Sequence, residues 1–106
     1  MYGLFGKMQA QPGQRDVLAG HLLRAAEMLR NLDGCYLYII NLATDDSDGI
    51  WVNEVWRSQA DHQASLTHEA IRNLIAVARP LIAAMPERFE VTPLGGKGLS
   101  EPSNDR

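Results

Sequence analysis

Ionisable and aromatic side chains are concentrated between residues 50 and 70 of the sequence. Glu54 and Trp56 are two residues apart, and His62 and His68 follow on the next segment. Strand alternation predicts that Glu54 and Trp56 lie on one side of a strand, among apolar neighbours. A carboxylate in apolar surroundings has its neutral form favoured, so we expect the pKa of Glu54 to rise toward the range of a general base.

Each of these side chains also has an ordinary structural interpretation. Glu54 could be held in an ion pair with a nearby arginine or lysine, since charged residues are seldom buried without a partner. Trp56 could be a large core side chain whose indole N–H is satisfied. His62 could tie the end of a helix to a carbonyl or to solvent. The residue types alone leave both interpretations open.

Other polar and aromatic residues are secondary candidates for contact with a ligand. Tyr36 and Tyr38 are predicted to share a strand face and could offer phenolic hydroxyls. Asn53 is predicted to face away from the Glu–Trp side unless a bulge intervenes. His68 is expected to mark the boundary between two helical segments, and His21 is expected to face solvent.

The two histidines do not have the spacing of a metal site. A zinc or iron site needs three or more converging ligands, such as two histidines at i and i+4 with a carboxylate. His62 and His68 are six residues apart, which leaves them roughly 120° apart around the axis of a straight helix. We therefore expect no metal among the site residues.

The hydrophobic pattern predicts the elements that position these residues. Apolar spacing predicts strands over 2–10, 35–43, 50–57 and 88–94, a helix over 14–32, and a helical region over 59–85. A bend near Thr67 and a distortion at Pro80 are expected in that last region. The order β-α-β-β-α-β is that of an α+β, ferredoxin-like fold with a four-stranded antiparallel sheet. Residues 1–95 are predicted to form one domain and 96–106 a polar, flexible tail.

The second predicted strand is apolar on both of its faces. Helices can cover only one face of the sheet, whereas an antiparallel sheet with one wet face should alternate apolar and polar residues. A second copy of the same sheet is the simplest cover for the other face. The pattern therefore predicts a homodimer.

Composition limits the classes of partner. The 106 residues carry a formal net charge of -3, and the ten basic residues are scattered, which argues against a nucleic-acid surface. The single cysteine fits a reducing compartment. We see neither a signal-peptide pattern nor an apolar run long enough for a bilayer. A cytoplasmic protein without a membrane partner is the expectation.

The strand that ends in Glu54-Val55-Trp56, followed by a helix with His62 and then His68, resembles the antibiotic biosynthesis monooxygenase family, including its quinol monooxygenase branch. The resemblance implies a dimeric α+β barrel. It also implies oxidation of electron-rich phenols or quinols by molecular oxygen without metal, flavin or haem, and it favours His62 as a proton-relaying pocket residue. The haem-degrading branch has an asparagine on its first strand, and residues 2–8 contain none.

The leading hypothesis is a cofactor-independent monooxygenase acting on a small aromatic quinol or phenol. In it Glu54 or His62 moves the proton, and Trp56 forms part of the wall that binds the ring. Two alternatives stay open. One is a non-enzymatic dimer that binds a small apolar ligand or regulates another enzyme. The other is a cofactor-free isomerase or lyase that uses the same acid–base groups without oxygen.

Overall fold

A four-stranded sheet and three α-helices account for most of the chain, in a computed structural model that describes residues 1–99. The strands are β1 (Tyr2–Ala10), β2 (Cys35–Leu42), β3 (Gly49–Trp56) and β4 (Ile82–Val91). The helices are α1 (Arg15–Leu29), α2 (Gln59–Ser65) and α3 (Glu69–Ala78). The strand order is β2-β3-β1-β4, and every neighbouring pair is antiparallel. The predicted ferredoxin-like sheet is confirmed.

The helices cover one face of this sheet, and alternate residues of β3 point toward them. Ile50 and Trp56 are 0% and 1% exposed, and Leu18 of α1 is also fully buried. Two buried clusters share this helix-covered side. The first contains Ala10, Leu18, Leu22, Ile50, Val52 and Ala78. The second contains Leu29, Trp56 and Ile71.

The segment after α2 differs from the prediction of a helical region reaching residue 85. The bend expected near Thr67 is present, because α2 ends at Ser65 and α3 begins at Glu69, with His68 at the N-cap position but without a side-chain capping hydrogen bond. However, α3 ends at Ala78, a short 3-10 turn covers residues 79–81, and β4 begins at Ile82 rather than at residue 88.

The early start of β4 has a physical cause in the backbone hydrogen bonds of this segment. Pro80 cannot donate a helical hydrogen bond, so the helical ladder stops there. Ile82 instead pairs with Ala10 of β1, and the N–H of Gln11 donates to the carbonyl of Leu81 over 2.8 Å. The pairing with β1 overrides the helix propensity of the leucine and alanine residues that follow the proline.

The other face of the sheet carries large apolar side chains that no described helix covers. Phe5 of β1 pairs with Phe89 of β4 on one side and with Asn53 of β3 on the other, and Asn53 in turn pairs with Ile39 of β2. Phe5, Ile39 and Phe89 are 38%, 46% and 51% exposed. We call this surface, formed by Phe5, Ile39, Phe89 and Val91, the open face.

The predicted tail lies mostly beyond the described part of the chain. Residues 100–106 lie outside the described residues, and residues 92–99 continue from β4 without a helix or strand. Within the described part, no helix combines the length and the apolar character needed to cross a membrane.

Candidate active site

A cavity of about 390 Å³ lies between the sheet and the helices. This volume is within the range of small-molecule sites, which are mostly apolar with a few placed polar groups. Most of its wall is aliphatic, and its apolar lining includes Leu22, Leu29, Ile71, Leu74, Ile75 and Ile82. The cavity can therefore bind an apolar or aromatic molecule and remove it from water.

Glu54, Trp56 and His62 form the polar end of the cavity. The indole Nε1–H of Trp56 donates a hydrogen bond to Glu54 Oε1 over 2.9 Å. The Nε2 atom of His62 lies 3.7 Å from the same carboxylate oxygen. The side chains of Glu54 and His62 are only 17% and 15% exposed. The structure thus brings together three of the residues that the sequence singles out.

Burial acts on both ionisable groups of this end and favours their neutral forms. It raises the pKa of Glu54, against the opposing effects of the Trp56 hydrogen bond and the charge of Arg88. It lowers the pKa of His62, and Arg88 lowers it further. A carboxylate with raised pKa is a stronger base than an ordinary glutamate, and a neutral imidazole beside it can accept or pass on a proton.

Arg88 belongs to the electrostatics of this site although the sequence did not indicate it. Arg88 of β4 pairs with Gly6 of β1, and Gly6 pairs with Val52 of β3. Val52 lies two residues from Glu54 and shares its side of the strand, so Arg88 also lies on the helix-covered side. Its guanidinium lowers the pKa of both Glu54 and His62. The register between β4 and β1 determines this placement, and no local pattern encodes that register.

His62 is held in place by the start of α2 and by two aromatic rings. Ser58 caps this helix by accepting a hydrogen bond from the N–H of Asp61 over 3.1 Å. The imidazole of His62 then meets the edge of Trp56, with ring centroids 5.3 Å apart, and a tilted Tyr2 ring at 5.8 Å. These contacts restrict the orientation of the imidazole near the carboxylate.

The two tyrosines of β2 have different positions. Tyr38 lines the cavity, pairs with Glu54 across the strands, and its pKa is raised by burial. Tyr36 does not line the cavity, because the register shifts between Cys35 and Leu37 and leaves it without a partner on β3. Only Tyr38 of the two therefore contacts the cavity, and a common face for both tyrosines stays a prediction.

Asn53 and His68 also lie outside the cavity. Asn53 accepts a hydrogen bond from the side chain of Asn41 over 3.1 Å, on the side of β3 opposite Glu54, as alternation predicts. His68 is exposed at the start of α3 and borders a separate, smaller cleft. Neither residue touches the Glu54–His62 pair.

Two basic residues that line the cavity, His21 and Arg79, were not among the predicted site residues. His21, expected to face solvent, lines the cavity from α1, and Arg79 lines it from the turn after α3. The signal for His21 was present, since it lies three residues after Leu18 and one before Leu22 in the buried stripe of the helix. Arg79 had no comparable signal.

No set of three His, Cys, Asp or Glu side chains within residues 1–99 is arranged to hold a metal ion. Glu54 and His62 converge, but His68 lies elsewhere, and they would need at least one further ligand to form a protein zinc site. The donor set of this cavity is thus that of an acid–base site.

Comparisons with known proteins place the chain in a family. The family model described as antibiotic biosynthesis monooxygenase matches residues 1–77. A solved structure from Chloroflexus aurantiacus J-10-fl, provisionally assigned as an antibiotic biosynthesis monooxygenase, is 44% identical, with a TM-score of 0.87 over 93% of this chain and 98% of that one.

More distant solved structures share the fold. A protein from Deinococcus radiodurans is 18% identical, with a TM-score of 0.77 over 91% of this chain and 95% of its own. One from Caulobacter crescentus CB15 is 17% identical, with a TM-score of 0.81 over 89% and 90%. Among curated proteins none matches significantly. By the family model and the Chloroflexus relative, the chain belongs to the antibiotic biosynthesis monooxygenase family.

Proposed function

We propose that this protein is a cofactor-independent monooxygenase that oxidises a small aromatic quinol or phenol with molecular oxygen. The observation that carries the proposal is the buried Glu54–His62 pair at the end of an otherwise apolar cavity. Family membership supports the reaction class, and the cavity supports the substrate class. An aromatic ring fits its apolar walls, and a ring hydroxyl can reach the carboxylate.

Glu54 is the base that removes the hydroxyl proton. Its Oε1 atom accepts the Trp56 hydrogen bond, while Oε2 has no hydrogen-bond donor among residues 1–99. Oε2 is therefore the atom that accepts the substrate proton. His62 is the proposed next acceptor of that proton. Its Nε2 atom lies 3.7 Å from the other carboxylate oxygen, Oε1, and catalytic contacts of this kind often shorten to hydrogen bonds only when substrate binds.

The anion that remains is electron-rich and supplies the electrons for the reaction. It passes one electron to oxygen, and recombination of the resulting radicals forms a carbon–oxygen bond to the ring. Loss of water then breaks the oxygen–oxygen bond. In total, hydroquinone and O₂ give hydroxyquinone and water. All the electrons come from the substrate, so this scheme needs no added reductant.

Trp56 and the aliphatic walls protect these steps from bulk water. Trp56 is 1% exposed, and it holds the carboxylate from one side while the ring enters from the cavity. Exclusion of water strengthens the electrostatic interactions inside the site and limits side reactions of reactive oxygen species.

The same proposal includes a homodimer joined through the open face. Phe5, Phe89 and Ile39 form an apolar surface, and contiguous exposed patches of this kind usually mark an interaction site. A second copy meeting the same face would make a symmetric interface. The sheet would then be covered on both sides, as its apolar residues require.

Oxygen uptake tests the proposed reaction. The purified protein is incubated with a panel of hydroquinones in an oxygen electrode, and product is followed in parallel. Glu54→Gln keeps the acceptor for the Trp56 hydrogen bond but removes the base, so we expect a rate loss of about 100-fold or more. Glu69→Gln, an exposed carboxylate change on α3, should leave the rate unchanged.

Three results would contradict the proposal. Equal rates for Glu54→Gln and the parent protein would remove the base from the mechanism. Turnover under nitrogen would indicate an isomerase or lyase. Tight binding of the panel without oxygen uptake would indicate a non-enzymatic binding protein.

A further inference from the structure

The cavity has a second polar region, at the end away from Glu54. Arg79 directly follows Ala78, and Ala78 is buried in the same cluster as Ile50. Because Ile50 is at the start of β3, Arg79 lies near that end of the strand. His21 precedes Leu22 of that cluster and also lines the cavity. Glu54 and Trp56 lie toward the other end of β3, where Ile71 and Leu29 close the wall.

Both residues of this second region are hydrogen-bond donors. The guanidinium of Arg24 has no acceptor, so it donates to His21 Nδ1. The single N–H proton of a neutral His21 is then on Nε2, and that nitrogen acts as a donor. Arg79 makes no ion pair with a carboxylate within the described chain. Among the described residues that line the cavity, Glu54 is the sole carboxylate. An anion at the His21–Arg79 end would therefore meet donors without a competing carboxylate.

The two polar regions are separated by apolar wall. From Ile50 to Glu54 the strand spans roughly 13 Å, at about 3.3 Å per residue. Leu22, Ile75 and Ile82 are among the side chains that line the cavity. A negative group close to the reacting ring would lie beside the Glu54 carboxylate and be repelled, while Arg88 at that end already lies 3.9 Å from the carboxylate of Glu90. A negative group at the far end of an apolar chain would lie beside Arg79 and be attracted.

We infer that His21 and Arg79 bind a carboxylate of the ligand, so that the substrate is an aromatic acid whose carboxylate is joined to the ring through an apolar chain. The aromatic part of this inference rests on the proposed function, whereas the carboxylate site rests only on the cavity. The ring occupies the Glu54–Trp56 end, and the chain follows the aliphatic wall. Arg79 binds the carboxylate as a planar, permanently charged donor.

Calorimetric titration under nitrogen tests the carboxylate site without turnover. The probes are a series of alkylhydroquinones with a terminal carboxylate and increasing chain length, each paired with its methyl ester. In the parent protein we expect one chain length to bind best, and its acid to bind about tenfold more tightly than its ester, the effect of one charge-assisted hydrogen bond. Arg79→Gln and His21→Gln should each weaken binding of the acid more than binding of the ester, and so reduce that preference.

Matched variants separate charge from general damage. Arg72→Gln removes an exposed arginine from α3 that does not line the cavity, and it should keep the acid preference. Arg79→Lys should restore part of the preference that Arg79→Gln loses. Equal affinity of acid and ester in the parent protein, failure of both to bind, or equal losses in Arg72→Gln and Arg79→Gln would each overturn the inference.

The same titrations distinguish this inference from the proposed function. An acid preference that depends on Arg79, without oxygen uptake, would uphold the carboxylate site and contradict the monooxygenase. Oxygen uptake on simple hydroquinones without any acid preference would uphold the monooxygenase and contradict the carboxylate site.

Discussion

The indole Nε1–H of Trp56 hydrogen-bonds to Glu54 Oε1 over 2.9 Å, between two residues on the same face of β3. This contact satisfies the buried N–H of the tryptophan. It also stabilises the ionised carboxylate, since it lowers the pKa of Glu54 while burial raises it. Trp56 is therefore both a core residue and an electrostatic partner of the proposed base.

Replacement of Trp56 by phenylalanine should move the pH dependence of oxygen uptake. Trp56→Phe keeps an aromatic ring but removes the donor, so the carboxylate loses a hydrogen bond worth about 1.5–3 kcal/mol. Because a pKa unit corresponds to about 1.4 kcal/mol, we expect the acidic limb of the rate profile to move upward by about one pH unit or more. Rate measurements over a pH series check this.

Trp51→Phe is the matched control for this change. Trp51 lies in register with Lys7 and Asn41, on the side of β3 away from the cavity. Its replacement should leave the acidic limb in place. If both tryptophan variants shift the limb equally, the hydrogen bond to Glu54 does not set it.

The raised pKa of Glu54 also predicts how the free energy of unfolding depends on pH. Burial raises the pKa above its ordinary value of 4.5, so the folded state holds the proton more tightly than the unfolded state. The stabilising contribution of Glu54 to the free energy of unfolding is then fully present below pH 4.5, and it is lost as the pH rises from there through the raised pKa. The glutamine side chain of the Glu54→Gln variant cannot ionise, so that variant escapes this loss.

Urea denaturation at several pH values checks that prediction. The free energy of unfolding of Glu54→Gln, relative to the parent protein, should increase as the pH rises from below 4.5 to neutrality. Glu69→Gln serves as the exposed control and should follow the parent protein. If the free energies of unfolding of Glu54→Gln and the parent protein changed in parallel with pH, ionisation of the buried carboxylate would not destabilise the folded state.

The face of β3 that carries the site could be predicted from sequence because strand alternation is a local rule. Glu54 and Trp56 share the helix-covered side, and Asn53 faces the other way. The end of α3 could not be predicted in the same way. The residues after Pro80 are good helix formers, and only their pairing with β1 makes them a strand.

Parts of the site that depend on long-range register were likewise hidden. Tyr36 does not line the cavity, and it lies at an irregularity in the register of β2 that no residue type indicates. Arg88 and Arg79 reach the site through the placement of β4 and of the turn before it. His21 is different, since its position in the apolar stripe of α1 was visible and its polarity led to the wrong interpretation.

The fully buried leucine of α1 should dominate the local stability of the helix-covered side. Leu18 is 0% exposed, whereas Leu23 on the same helix is 57% exposed. Leu18→Ala removes buried apolar volume and should lower the free energy of unfolding by about 3 kcal/mol. Leu23→Ala should change it by less than about 0.5 kcal/mol. Equal effects in urea denaturation would mean that Leu18 is not part of a packed core.

A charge placed in the open face should separate the proposed dimer. Phe89 pairs directly with Phe5 in the middle of this face and is 51% exposed in one protomer. Phe89→Glu would bury a carboxylate without a partner at the interface, and an uncompensated buried charge costs several kcal/mol. We therefore expect the parent protein to have twice the protomer mass in light scattering, and Phe89→Glu to have the protomer mass.

Val77→Glu provides the comparison, because it introduces the same charge at a similarly exposed apolar residue on α3. Val77 is 54% exposed and lies on the helix side of the molecule, away from the open face. If that variant keeps the dimer mass while Phe89→Glu loses it, the effect belongs to the open face and not to added charge in general. A parent protein that scatters as a single protomer at micromolar concentration would contradict the dimer. Separation by both variants would place the interface elsewhere.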